Sequence, residues 1–194
     1  MRVVAGKARG RSLQAPPGRG TRPTADRVRE AAFSALSSLW GVEEAIVVDL
    51  YAGSGALGIE ALSRGAAGAT FVEQDRVAAS VIRTNLTVLG LDGPGVSVMV
   101  SDAMAVAGSR GVVSSADLVF ADPPYRFERW PELLGRLASG GFRGLVVAET
   151  GSPLTAPVGW DVVRDKTYGS TVVTMLSAVS APSEGGPIQG GIPR

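Results

Sequence analysis

The stretch Val47–Leu62, VVDLYAGSGALGIEAL, decides the fold. It sets Gly53-x-Gly55-x-x-Gly58 directly between an apolar strand-like run and a helix-compatible segment. A strand, a tight glycine turn and a helix are the context that a nucleotide-cofactor loop requires. Glycine turns sharply and lets a ligand approach without a Cβ in the way.

Outward from this unit the same alternation repeats. IVVDLY, ATFVE, VSVMV, DLVFA and LVVAE are short, β-branched runs between Ile46 and Glu149. Between them lie helix-compatible segments such as Ala56–Arg64, Val77–Leu89 and Trp130–Leu137. Strands apolar on both faces and alternating with helices predict a parallel sheet covered on both sides. Two more strands, Trp160–Asp165 and Ser170–Ser177, follow closely across KTYG and predict an antiparallel pair at the sheet edge. The expected fold is α/β and Rossmann-like, a mostly parallel seven-stranded sheet with an antiparallel edge strand.

Upstream, RVVAGKARGRSLQAP predicts a hairpin with strands at Arg2–Ala5 and Arg11–Gln14, and PPGRGTRP predicts a loop. Thr24 is expected to cap an amphipathic helix over Thr24–Trp40, with Val28, Ala32, Leu36, Leu39 and Trp40 at helical spacing. Residues 1–22 are expected to form a basic arm and loop, residues 23–179 the main domain and residues 180–194 a disordered Gly/Pro-rich tail.

Composition limits the chemistry. The 194 residues contain no cysteine and no histidine. Disulfides, thiolate metal sites, cysteine nucleophiles and Ser-His-Asp triads are therefore excluded, and no metal is expected. Formal net charge is only +1, but residues 1–30 hold eight Lys/Arg against two acidic residues, while the remainder is acidic. That asymmetry predicts a basic arm on an acidic body. The N-terminal MRVVAGKARGRSL lacks a signal-peptide core, and no apolar run is long enough for a membrane helix. A soluble, cytoplasmic protein is expected.

The acidic residues after the glycine loop are informative by position. Glu73 ends the next strand, where a carboxylate can accept from ribose hydroxyls. Asp102 ends the third strand, within expected reach of an adenine amino group, with Ala103 beside it. Asp49 precedes Gly53 by four residues. A carboxylate there would repel a pyrophosphate but could bind an ammonium, which favours S-adenosylmethionine over NAD. The expected cofactor set is Asp49, Gly53, Ser54, Gly55, Gly58, Glu73, Asp102 and Ala103.

The fourth strand ends in ADPPY, Ala121–Tyr125. Ligands in open α/β sheets sit beyond the carboxyl ends of the strands. Asp122 offers a side-chain acceptor and Pro123 a carbonyl. Pro124 fixes its own φ and pushes Pro123 into an extended conformation. Tyr125 adds a flat ring. Two fixed acceptors and a stacking surface suit the exocyclic amino group of a nucleobase, held with its lone pair toward a methyl donor. Such catalysis is mainly positioning and electrostatics and needs no histidine. Tyr168, Arg126 and Arg129 are weaker candidates for nucleic-acid contact, and Trp40 and Trp160 read as core or edge-packing residues.

The glycine loop together with DPPY resembles class I S-adenosylmethionine-dependent methyltransferases acting on base amino groups. RVVAGKARGRSLQAP followed by TRPTADRVREAAFSAL, and the closing DKTYGSTVVTML, resemble the RsmD family over roughly residues 2–177. That resemblance implies methylation of guanine N2 in small-subunit (16S) ribosomal RNA, on the subunit or its assembly intermediate; a monomer is expected. It implies catalytic roles for Asp122, Pro123, Pro124 and Tyr125, and RNA contacts by Lys7, Arg9, Arg11, Arg22 and Arg27. A DNA or RNA adenine-N6-methyltransferase would use the same DPPY site.

Overall fold

The computed structural model describes residues 1–17, 23–124 and 126–179, with only the backbone of 23–25. The expected loop residues Arg19 and Arg22, the side chain of Thr24, Tyr125 and the tail lie outside the described residues.

Strands β1 (Ile46–Leu50), β2 (Gly68–Glu73), β3 (Val96–Val100), β4 (Leu118–Ala121), β5 (Leu145–Thr150), β6 (Trp160–Tyr168) and β7 (Thr171–Ala178) form one sheet in the order β3-β2-β1-β4-β5-β7-β6. β1 to β5 are parallel neighbours, and β7 pairs antiparallel with both β5 and β6. The seven strands predicted for the sheet are all present, and the expected antiparallel pair sits at the sheet edge. Helices α1 (Pro23–Leu39), α2 (Ala56–Ser63), α3 (Arg76–Leu89), α4 (Ala103–Ala107), α5 (Arg110–Val113) and α6 (Trp130–Ser139) cover the two faces.

Period-two alternation divides the core. Val47, Phe71, Leu118, Phe120 and Val147 face α1, α2 and α3, while Val48, Val72, Val119 and Val146 face α4 and α6. Both layers are buried, so the central strands read as continuous apolar runs. On the first face Phe33 of α1 packs on Phe120 with centroids 5.3 Å apart. On the second, Phe142 stacks on Trp160 at 6.2 Å, which bears out the packing role expected of Trp160.

One expectation needs correction. Leu39 and Trp40 are 41% and 50% exposed. Leu36 is the last buried position on α1, because periodicity defines a face and not how far the core extends along it. The arm forms a short hairpin: an antiparallel bridge joins Arg2 to Ser12, Val3 N–H donates to Arg11 O and Gly10 N–H to Val3 O, both at 2.9 Å, and Leu13 N–H donates to Met1 O at 3.0 Å. Other amides of the arm bond the body. Val4 and Ala5 N–H donate to Glu60 Oε2 and Oε1 at 2.8 and 3.0 Å, and Ala8 N–H donates to Ser63 Oγ at 2.9 Å. Val3, Ala8 and Leu13 join the first core layer. Among the described residues no helix is long and apolar enough to cross a membrane.

Candidate active site

The strand order reverses between β1 and β4, and a crevice opens beyond strand carboxyl ends at such a point. Here it is a cavity of about 1050 Å³. The loop after β1 contributes Gly53 and Ser54, β2 contributes Glu73, and the segment after β4 contributes Asp122, Pro123 and Pro124. Asp49 lines it from within β1. Residues far apart in sequence are thereby brought together as the strand-end argument requires.

The glycines divide their labour. Gly53 (φ 58) bends the loop, and its N–H donates to Glu73 Oε2 at 2.8 Å. Gly55 (φ 81) starts α2, and a Cβ there would lie 3.2 Å from Ile59 and Ile82. A Cβ on Gly58 would meet Phe71 at 2.4 Å. Gly58 therefore lets α2 pack against β2, and its N–H donates to Asp49 Oδ2 at 2.9 Å. Gly53 and Ser54 border the cavity, whereas Gly55 and Gly58 shape the turn behind it.

Asp49 is 1% exposed. Burial pushes its carboxyl up from 3.8 to about 7, opposed by the Gly58 N–H and reinforced by the charges of Asp122 and Glu73. A cation arriving beside it would favour the ionised form. Glu73 is also buried, and its Oε1 accepts from Asp75 N–H at 2.9 Å. A carboxylate has about four acceptor sites, so holding two amides is compatible with receiving hydroxyls as well. Asp102 caps α4 through Ala105 N–H at 2.9 Å, with Ser101 and Ala103 on the cavity wall beside it.

Sequence reasoning missed an aromatic wall. Tyr51 stands at φ 61 immediately after β1, its ring 5.6 Å from Phe127, which lies 5.2 Å from Trp130 in an edge-on contact. All three line the cavity. The Tyr51 hydroxyl is buried without a hydrogen-bond partner, and burial and the Asp102 charge push its phenol up to about 12. Trp130 also starts α6, as expected. The available signal was the aromatic residue between the strand end and Gly53.

Lys7, Arg9, Arg11 and Arg27 are exposed. The Arg11 guanidinium donates to Val88 O at 2.8 Å. Arg29, counted by sequence among the arm's charges, is buried in the cavity wall. It donates to Asp26 Oδ1 at 2.9 Å and to Arg2 O, and lies 3.7 Å from Glu60. Asn85 ties the arm to the glycine loop. Its amide donates to Gln14 O and Ser54 O, both at 3.0 Å, and accepts from Gln14 N–H at 2.9 Å. Arg126 reaches the cavity, while Arg129 is exposed and engages Glu132 at 2.8 Å. Tyr168 packs against the first core layer and does not line this cavity.

The architecture is that of class I methyltransferases. The solved structure of Escherichia coli yhhF superposes with a TM-score of 0.80 at 35% identity, covering 93% of this chain and 99% of that one. Ribosomal RNA small subunit methyltransferase D of Escherichia coli is 38% identical over 176 residues, covering 87% of this chain and 85% of the relative. The protein of the same name from Haemophilus influenzae is 33% identical over 174 residues, covering 87% and 89%. The family model described as conserved hypothetical protein 95 matches residues 1–177. With that match along nearly the whole chain, and with the glycine loop and the DPP segment meeting in one cavity, the chain belongs to the ribosomal RNA small subunit methyltransferase D (RsmD) family.

Proposed function

We propose that this protein transfers the methyl group of S-adenosylmethionine to the exocyclic N2 amino group of a guanine in small-subunit (16S) ribosomal RNA, on the subunit or its assembly intermediate. The observation that carries the reading is the placing of Asp122 and Pro123 in the same cavity as Asp49, Gly53 and Glu73. The names of the relatives support the ribosomal substrate.

The donor residues fit the cofactor by charge. Asp49 is a buried carboxylate without a cation of its own among the described ion pairs, suited to the ligand's ammonium. Glu73 would receive ribose hydroxyls, and Ser101 and Ala103 would border the base. S-adenosylmethionine supplies an electrophilic methyl on a positively charged sulfur. This chain's own task is to orient the nucleophile.

The Asp122 carboxylate and the Pro123 carbonyl accept from the two N–H bonds of the base's amino group. Both acceptors bind donors only, so they fix the nitrogen with its lone pair turned away from them. Tyr51, Phe127 and Trp130 make that side of the cavity apolar and limit water. Tyr125 would stack on the extruded base; base–aromatic stacking contributes about 1–3 kcal/mol. The alkylated nitrogen is acidic and sheds its proton toward Asp122 or water, so the absence of histidine is no obstacle. Preorganised contacts of this kind supply several kcal/mol of barrier reduction.

The test is incubation with methyl-labelled S-adenosylmethionine and small ribosomal subunits lacking the modification, followed by nuclease digestion and mass spectrometry. Label is expected on guanine N2. Label on adenine, or on DNA alone, overturns the assignment.

A further inference from the structure

Strand β6 carries side chains that the catalytic reading does not use. Arg164, Lys166 and Tyr168 alternate onto one face, opposite Met175, Val173 and Thr171 of β7. Val173 and Met175 belong to the core layer beneath α1. Asp165 lies between the two cations in sequence but on the other face, where its Oδ1 accepts from the Thr174 hydroxyl at 2.6 Å. The strand thus sorts its charges, cations toward α1 and carboxylate away. Neither Arg164 nor Lys166 is within an ion pair among the described residues. Lys166 Nζ rests 5.6 Å from the Tyr168 ring centre.

Across from this row α1 presents Ala31, Ser34 and Ser38, and the space between is a groove of about 180 Å³. These small side chains leave room for a bulky backbone. Arg27, exposed and one helical turn before Ala31, continues the same stripe. Among the described residues no carboxylate lines the groove.

The groove also has a direction. β7 is antiparallel to β5 and β6 is antiparallel to β7, so β6 runs with the parallel strands. Tyr168 therefore ends it at the carboxyl edge of the sheet. Ser170 and Thr171, just beyond Gly169, line the active-site cavity. The arm's residues pack against α2 and α3 on the same sheet face.

We propose that this groove is a phosphate track for the RNA backbone flanking the target base, with Arg164 and Lys166 each neutralising one phosphate. The inference rests on the RNA reading above. Charge selects a polyanion, and the groove's end at Tyr168, two residues from the cavity-lining Ser170, selects the polyanion being modified.

The test uses the full chain, S-adenosylhomocysteine and small ribosomal subunits lacking the modification, with affinity measured by filter binding over a sodium chloride series. In Arg164→Gln/Lys166→Gln the slope of log K against log salt should fall by about 1.4–1.8, at about 0.7–0.9 per phosphate. S-adenosylhomocysteine affinity and melting temperature should not change. Should the double variant melt early, the exposed Lys166→Gln alone should lose about 0.7–0.9 of slope. If the wild-type protein methylates the subunits and these slopes match its own, the track is wrong and the catalytic reading stands. If weaker binding comes with an unchanged slope, the groove holds a protein and the track is equally wrong. If the wild-type protein neither binds nor methylates subunits, both readings fall.

Discussion

Asp49 shows how one residue couples stability to ligand binding. Its carboxyl rises to about 7 in the fold, from 3.8. A folded-state value above the unfolded one means that the native state holds the extra proton between them. Stability therefore falls as pH rises from about 4 to 7, at up to 1.36 kcal/mol per unit. Asp49→Asn removes that dependence while keeping an oxygen for the Gly58 N–H. Melting curves from pH 4 to 8 should show wild type losing stability relative to the variant, by a few kcal/mol at most. The variant should bind S-adenosylmethionine at least tenfold more weakly at pH 8, by calorimetry. Parallel melting curves would rule out a raised carboxyl at Asp49. Asp122→Ala should lower kcat by two or more orders of magnitude with cofactor affinity unchanged, because its target is the nucleobase. Full turnover by that variant would end the proposed mechanism. Gly58→Ala separates packing from ligand contact. The clash with Phe71 should destabilise the fold by about 1–3 kcal/mol in chemical denaturation.

At the scale of elements, α2 and α3 each serve two masters. α2 starts at the glycine loop and ends on the arm, with Glu60 accepting the Val4 and Ala5 amides and the Arg64 guanidinium at 2.7 Å. Glu60 is fully buried. Glu60→Ala leaves the Val4 and Ala5 amides without their acceptor and takes from Arg29 the second of its two carboxylates, at about 1–3 kcal/mol for each amide that stays dry. α3 contributes Asn85, which holds Gln14 and Ser54 together. Asn85→Ala leaves their backbone groups unpaired, at about 1–3 kcal/mol for each group that stays dry. Hydrogen exchange should then quicken at Gln14, and S-adenosylmethionine should bind more weakly, although Asn85 does not line the cavity. Unaltered exchange at Gln14 would argue against this linkage. Charge reversal of Lys7, Arg9 and Arg11 should flatten the salt dependence of RNA binding and spare cofactor affinity.

At the scale of the molecule, one sheet brings the arm, the glycine loop and the DPP segment to a single edge. A cofactor at a hundred times its dissociation constant should raise stability by about 2.7 kcal/mol. Much of this was legible beforehand. Strand runs apolar on both faces, glycine punctuation and carboxylates at strand ends are local patterns with a fixed periodicity, and they specify a doubly covered parallel sheet. They also located Asp122, Glu73 and Asp49, because a parallel sheet sends every strand's carboxyl end to the same side. Tertiary structure alone decided the rest. Whether Gly58 faces a ligand or Phe71, whether Arg29 belongs to a basic arm or a buried ion pair, and whether Trp40 is covered depend on what lies opposite in space. Local sequence records which faces are apolar, whereas distances between elements are set by packing the whole chain at once.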